Sequence, residues 1–407
     1  MYKIKSFLEN KFERINAIID NEYNTITKYA CMIGSANYPF PSVMDAMSLP
    51  FQQNPNEGSR NHRYFPKTQN IDELEIYGEE LINRFFNNNE YYSNIEAYSG
   101  TQANQIVYNA ILEKGDIVLS LDSKAGGHIS HQSFLKKYYT VINYNIDISN
   151  NIDYYNIEML CKNYSPKLLI AGYSSYPRQV DYKKIGDICM KYGVYLLADI
   201  SHTVLYIANK THISPFGYAD FITFTTHKTT RGIRGGVVLC KKSFKKKIDS
   251  CTFPLVQGAP KFNEILAKVI MFEELLHMDI SKYVSKIMDI SNLFVEKLKY
   301  NNIKMYTDGT DSHLILLDLT DYNITGKHCE ELLEKQHILV NRNCIPYDKQ
   351  SPLITSGIRL GTLCLATLNM SLDDCEILAD IIIDTIINKE YIDKNIVINL
   401  MKNYKIF

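Results

Sequence analysis

Residues 195–240 read YLLADISHTVLYIANKTHISPFGYADFITFTTHKTTRGIRGGVVLC. Three short apolar runs stand out, Tyr195–Ala198, Phe221–Phe224 and Val237–Cys240, each bounded by turn-forming residues. Near-continuous apolar runs rich in β-branched residues are what a strand buried on both faces requires. Working outward, Ile117–Leu121 and Leu168–Tyr173 repeat the pattern, and helical stretches such as Tyr182–Lys191 lie between several of these strands. The alternation predicts an α/β domain with a mostly parallel sheet covered by helices. Upstream, IDELEIYGEELINRFF at 71–86 has helical spacing with acidic residues near its start, which predicts an amphipathic helix.

Beyond Pro260 the pattern changes. FNEILAKVIMFEELLHM opens a long helical stretch reaching about Lys299; DSHLILLDL and HILVNRN then read as strands, and SLDDCEILADIIIDTII as an amphipathic helix capped by Ser371 or Asp373. The expected organisation is an N-terminal arm over 1–50, a large α/β domain over 51–275 and a smaller α+β domain over 276–407.

Composition narrows the class. Lys+Arg 44 against Asp+Glu 45 leaves a net charge of -1, so no whole-molecule field draws the chain to nucleic acid or an anionic membrane. The nine cysteines include no C-x-x-C pair, which gives neither a disulfide framework nor zinc spacing and fits a reducing cytoplasm. MYKIKSFLENKFERIN is too charged for a secretory signal, and no window is long and apolar enough for a membrane span. The lysines of KKSFKKK at 241–247 could form an RNA-binding patch, but a solvated helix start suits them better because only Phe244 is interleaved.

Chemistry concentrates at strand ends. Lys228 follows a buried-looking strand and precedes a turn rich in Gly and Arg. Desolvation, Arg231 and Arg234 would favour its neutral, nucleophilic form, as an imine-forming lysine requires. A lysine merely passing the surface is the competing reading. Asp199 ends another apolar strand 29 residues earlier. Alone it suits a turn or cap; paired with Lys228 it suits pyridoxal phosphate, whose ring nitrogen needs an acid and whose aldehyde needs an amine. His202 either lies near that ring or turns outward. Ser99-Gly100-Thr101 opens a helix, either as a plain cap or as a site for the cofactor phosphate. In KAGGHISH, Gly126 and Gly127 allow close backbone approach to something flat on which His128 could stack. The H-x-x-H spacing with His131 lacks the further ligands a metal needs, so no metal site is expected.

These segments carry a resemblance. NEGSRNHRYF (56–65), EAYSGTQAN, AGGHISH, YSSYPRQVD, LLADISH, TTHKTTRGIRGG, VQGAP, GTDSHL, VNRNCIPYDKQSP and ITSGIRLGT resemble, in order, segments of serine hydroxymethyltransferase. That family belongs to the aspartate-aminotransferase-like, fold type I pyridoxal phosphate enzymes. The resemblance implies that Lys228 holds the cofactor aldehyde, Asp199 pairs with the ring nitrogen, and His128 stacks on the ring. It further implies that Ser99, Gly100 and Thr101 bind the phosphate, with Gly258 reaching the phosphate of a partner subunit. Ser174 and His202 would contact the cofactor hydroxyl, and His227 would assist beside the lysine. Arg359 would grip the carboxylate of an amino-acid substrate. Glu57, as proton donor, and Ser35, as carboxylate contact, would act across a homodimer with shared active sites.

The chain also departs from the family pattern. Pro55 and Phe65 replace two tyrosines, although Tyr64 is kept as a catalytic candidate; Ala36 replaces a glutamate, Ala125 a histidine and Ser123 a leucine. Asn343 matches a folate-contacting asparagine, so tetrahydrofolate use stays open. Three readings follow in order. The first is an enzyme making or breaking the Cα–Cβ bond of an amino acid, by glycine/serine hydroxymethyl transfer or a specialised aldol variant. The second is another pyridoxal phosphate reaction, such as decarboxylation, and the third a non-catalytic cofactor-binding scaffold.

Overall fold

A computed structural model describes residues 12–53, 55–390 and 393–406 of the 407; MYKIKSFLENK lies outside the described residues. The chain divides into two compact units, one of residues 37–285 and one of 1–36 with 286–407.

The first unit is built on a seven-stranded sheet of β1 (Tyr91–Asn94), β2 (Ile117–Leu121), β3 (Thr140–Tyr144), β4 (Leu168–Gly172), β5 (Tyr195–Asp199), β6 (Phe221–Thr225) and β7 (Gly236–Lys241). Their spatial order is β1-β7-β6-β5-β4-β2-β3. Neighbours from β6 to β3 pair in parallel, and β7 runs antiparallel to both β1 and β6. Every residue of β4 and β6 is buried, as suits the apolar run of β4 and the aromatic and β-branched residues of β6 when both faces are covered. Helix α1 (Gln69–Phe86) turns Ile71, Leu81, Ile82 and Phe85 inward and stops at Asn87, which takes the left-handed conformation. Helix α2 (Gly100–Ile111) packs Ala103, Ile106 and Val107 into the core formed with Val118, Leu168, Leu197 and Phe221.

The long helical stretch is two helices in the structure: α3 (Phe262–His277) and a second, Ile280–Tyr300. Met278 is extended, and Asp279 Oδ1 accepts the Lys282 N–H, so an aspartate cap starts the second helix without any Gly or Pro. The 241–247 lysines open a short helical segment, with Lys241 paired to Asp220, Lys245 over the Tyr92 ring and Phe244 packed on Phe221.

In the second unit, β8 (Leu314–Asp318), β9 (Asn341–Asn343) and β10 (Gly357–Gly361) form an antiparallel sheet in the order β8-β10-β9. Ala30–Cys31 pairs in parallel with Ile338–Leu339. The helix Leu372–Asn388 is capped by Ser371, whose side chain accepts the Asp374 N–H. No helix among the described residues is long and apolar enough to cross a membrane.

Candidate active site

Asp199 is the last residue of β5, at the carboxyl edge of the parallel strands, where ligands of open α/β sheets bind. Its carboxylate accepts four hydrogen bonds. Oδ2 takes Asn104 Nδ2 at 2.8 Å and His131 Nε2 at 3.0 Å; Oδ1 takes the Ser201 backbone N–H at 3.1 Å and its hydroxyl at 2.6 Å. Burial pushes this carboxyl upward. The His131 bond and charge, the Lys228 charge and the Asn104 bond outweigh burial and hold it well below the usual carboxylate range. Gly172, opposite Asp199 in register, permits this packing: a Cβ there would lie 2.6 Å from Asp199 Cβ and 2.9 Å from His131 Cε1. Asn104 is itself fixed, accepting a 2.6 Å bond from Thr223 Oγ1.

Asn104 belongs to α2, whose start is the Ser99-Gly100-Thr101 segment. Ser99 caps the helix, accepting the Gln102 N–H at 3.1 Å. Gly100 presses on β6, since a Cβ there would meet Thr225 Cγ2 at 2.4 Å, and Gly236 leaves room for the Ser99 carbonyl, 2.4 Å from where its Cβ would be. One helix thus presents its N-terminal N–H groups at the sheet edge and, one turn later, anchors Asp199.

Lys228 lies three residues past β6 and is 6% exposed. Its carbonyl accepts Asn37 Nδ2 at 2.8 Å and the Arg231 N–H at 3.2 Å, which closes the turn. Arg231 takes φ +56° and lays its guanidinium 4.2 Å from the centroid of the Phe40 ring, while Arg234 Nη1 approaches His227 Nε2 at 3.4 Å. Burial, Lys228 and Arg234 push the His227 imidazole down to about 3, so it is neutral at physiological pH. Arginine can only donate, so Nε2 accepts and the proton sits on Nδ1. That Nδ1, together with Thr225 Oγ1, is buried without a hydrogen-bond partner among the described residues.

The His128 loop is fastened to the strand end beside it. Gly126, at φ +112°, gives its carbonyl to the Ser174 N–H at 2.8 Å and the Ser174 hydroxyl at 3.3 Å. His128 Nδ1 accepts the Ser130 N–H, and its ring centroid lies 5.6 Å from that of His131. His202 is buried in the turn that follows Asp199.

Glu57, Tyr64 and Gly258 belong to the same unit as Asp199 and Lys228. Gly58–Ser59 and His62–Arg63 form a hairpin in which the Tyr64 N–H donates to the Glu57 carbonyl at 2.9 Å. Tyr64, 73% exposed, lies 5.9 Å from the ring of Phe253, in the segment leading to Gly258. Gly258 is open: nothing lies within 4 Å of where its Cβ would be. In the second unit Arg359, on β10, is buried and donates from Nε to Asn341 Oδ1 at 3.1 Å; burial pushes its guanidinium down to about 10, which leaves it charged at neutral pH. Gly34, just before Ser35, makes room for it: a Cβ there would lie 2.8 Å from Arg359 Nε.

Asn104, Ser201, Thr225 and Asn341 escaped the sequence reading. His131 entered it only as half of a metal spacing and is instead a partner of Asp199.

A buried lysine and a tightly held carboxylate beside a helix N-terminus, on a mostly parallel sheet with helices, define a fold type I enzyme scaffold of the pyridoxal phosphate class. The serine hydroxymethyltransferase family model matches residues 8–382, nearly the whole chain. The chain belongs to that family, whose members are pyridoxal phosphate-dependent enzymes.

Proposed function

We propose that this protein binds pyridoxal phosphate through Lys228 and makes or breaks the Cα–Cβ bond of an α-amino acid. The substrate reaction is glycine/serine hydroxymethyl transfer or a specialised aldol variant of it. The observation that carries the reading is the Asp199 carboxylate, kept anionic by four donors and electrostatically coupled to Lys228.

The residues fit the cofactor. The Ser99-Gly100-Thr101 helix start offers N–H groups to a phosphate, and the unpartnered Thr225 Oγ1 and His227 Nδ1 offer polar atoms near by. When bound, pyridoxal phosphate supplies an electron sink for charge developing at the substrate Cα. Asp199 holds a proton on the ring nitrogen, and His128, Ser174 and His202 orient the ring. His227, neutral, assists next to Lys228 without a competing positive charge. Ser35 and Arg359 take the substrate carboxylate, Arg359 through its two-donor fork.

Ser35, Glu57 and Gly258 are assigned to the site of a partner subunit in a homodimer, and Tyr64 closes the hairpin that follows Glu57. Tyr64, Phe65 and Leu255 are large apolar side chains left 73%, 41% and 62% exposed around the hairpin and the Gly258 segment, a surface suited to a second copy.

The test is to load the purified protein with pyridoxal phosphate, reduce it with borohydride and map the modified peptide. Label on Lys228, absent in Lys228→Ala, is the expected result; label elsewhere or none would overturn the assignment. Screening amino acids for cofactor spectral changes, with and without tetrahydrofolate, then identifies the substrate and decides folate use.

A further inference from the structure

Arg63 reaches around Glu57. Its Nη1 donates to the carbonyls of Asn56 at 3.2 Å and Gly58 at 2.6 Å, the residues on either side of Glu57. The same guanidinium donates from Nε to Asp72 at 2.8 Å and from Nη2 to Glu75 at 2.6 Å, both on α1, and Nη1 stands 3.7 Å from Glu96 Oε1. Glu96 is buried and extends the chain of contacts. Gln257 Nε2 donates to its carboxyl at 3.3 Å and to its carbonyl at 3.4 Å, and Gln257 immediately precedes Gly258. Burial and the Glu75 charge push the Glu96 carboxyl well above the usual carboxylate range. The carbonyls on both sides of Glu96, those of Ile95 and Ala97, are pinned by the ammonium of Lys268, each at 2.7 Å. Two further bonds tie the start of α2 to the Gly258 segment: Tyr98 to the Ala259 carbonyl at 2.6 Å and Gln102 to that of Val256 at 3.4 Å.

We propose that Arg63, Glu96 and Gln257 form a positioning brace that sets the Glu57 hairpin and the Gly258 loop as one piece. The functional consequence rests on the reading that both segments serve a partner subunit: a proton donor and a phosphate contact would be delivered together, in register with the Ser99-Gly100-Thr101 cradle. Two arginines, Arg60 and Arg63, face Asp72, Glu75, Glu79 and Glu96, and loss of one partner leaves the others unsatisfied in a largely buried cluster.

The test is hydrogen exchange on the full-length protein, without added cofactor. Gln257→Leu, which changes no charge, should speed exchange at the Tyr64 amide about tenfold, the equivalent of one lost hydrogen bond, while the amides of β4 and β5 keep their protection. Arg63→Met should do the converse at the Gln257 amide, with Arg63→Lys in between. In the loaded enzyme, Gln257→Leu should weaken pyridoxal phosphate affinity and lower kcat with little change in the amino-acid KM. An unchanged Tyr64 amide in Gln257→Leu overturns the brace, even should the Arg63 variants fail to fold. A wild-type protein that takes up no pyridoxal phosphate undoes the functional reading instead, and the exchange result stands apart from it.

Discussion

His131 Nε2 lies 3.0 Å from Asp199 Oδ2, with the imidazole buried against the glycine at the end of the neighbouring strand. An ionised carboxylate can only accept, so Nε2 is the donor and the ring orientation is fixed by the contact. Asp199 is thereby held ionised by four donors, one of which would share its oxygen with, or yield to, the ring N–H on cofactor binding.

Removing one donor should loosen the carboxylate. His131→Phe is expected to weaken pyridoxal phosphate binding about tenfold, measured by absorbance titration. The Asp199 carboxyl is depressed in the folded state, so its stabilisation is present above the unfolded value, about 3.9, and fades as pH falls further. The stability gap between wild type and His131→Phe in urea should therefore narrow below pH 4; a gap unchanged from pH 7 to pH 3 would refute it. Asp199→Asn should cost more, about 1–3 kcal/mol, because an amide oxygen cannot take four donors and its NH2 group would face some of them.

His227 gives a pH dependence of the same sign in a higher window. Its folded value of about 3 lies below the unfolded value near 6.5, so acidification lets the unfolded chain bind a proton the native state refuses. This penalty is absent above pH 7 and grows from 6.5 down to about 3. His227→Gln abolishes it. Between pH 7 and pH 5 wild type should lose on the order of 1 kcal/mol more than the variant, an amount trimmed by the ring's partial exposure. Equal losses in urea titrations would show that His227 is not held neutral.

Lys268 predicts a stability effect away from chemistry. Its ammonium donates to the carbonyls of Ile95, Ala97 and Gly236, at 2.7, 2.7 and 3.2 Å, and though burial pushes it down to about 8 it is charged at neutral pH. Lys268→Met removes the charge and strands three carbonyls, at a cost of about 3 kcal/mol. Chemical denaturation measures this, and a loss below about 1 kcal/mol would mean that water replaces the ammonium.

The parts legible in sequence were those whose signal is local. Unbroken apolar strands announced β2, β4, β5, β6 and β7, and the residues at or just past their ends included Asp199 and Lys228. β1 and β3 were not read, because YYSN and TVINY mix polar residues into short edge strands. The hairpin around Glu57 was visible only as a motif, since its strands are two residues long and its fixation comes from Arg63 reaching α1. Asn104 and His131 are ordinary helix and loop residues in one dimension; they become partners of one carboxylate only when the sheet sets β2, β4 and β5 side by side.

Mixed dimers test the sharing of active sites. If Glu57 serves the partner subunit, a heterodimer of Lys228→Ala and Glu57→Ala chains contains one site with both defects and one with neither. Equimolar exchange should then recover about a quarter of wild-type activity, since half the dimers carry one intact site of two. No recovery after verified exchange would place Glu57 in its own subunit's site.

The last prediction concerns Pro55 and Phe65, where family members carry tyrosines. Phe65 is 41% exposed and Pro55 is exposed, on the surface assigned to the partner's site, so neither hydroxyl is replaced by packing within the unit. A site that relied on those hydroxyls for the substrate carboxylate and β-substituent would lose about 1–3 kcal/mol for each, or roughly 10–100-fold in rate where the loss falls on the transition state. Folate-dependent cleavage of serine should accordingly be slow, and an amino acid with a larger β-substituent should perturb the cofactor spectrum more strongly. Phe65→Tyr is the cleaner restoration, because it adds one oxygen to a ring already in place, whereas Pro55→Tyr also frees a backbone dihedral that proline fixes. Serine turnover should rise with Phe65→Tyr and rise further in the double variant. A wild-type rate of about 10 per second, ordinary for a metabolic enzyme, would show that the remaining contacts, Ser35 and Arg359 among them, suffice for serine without either tyrosine.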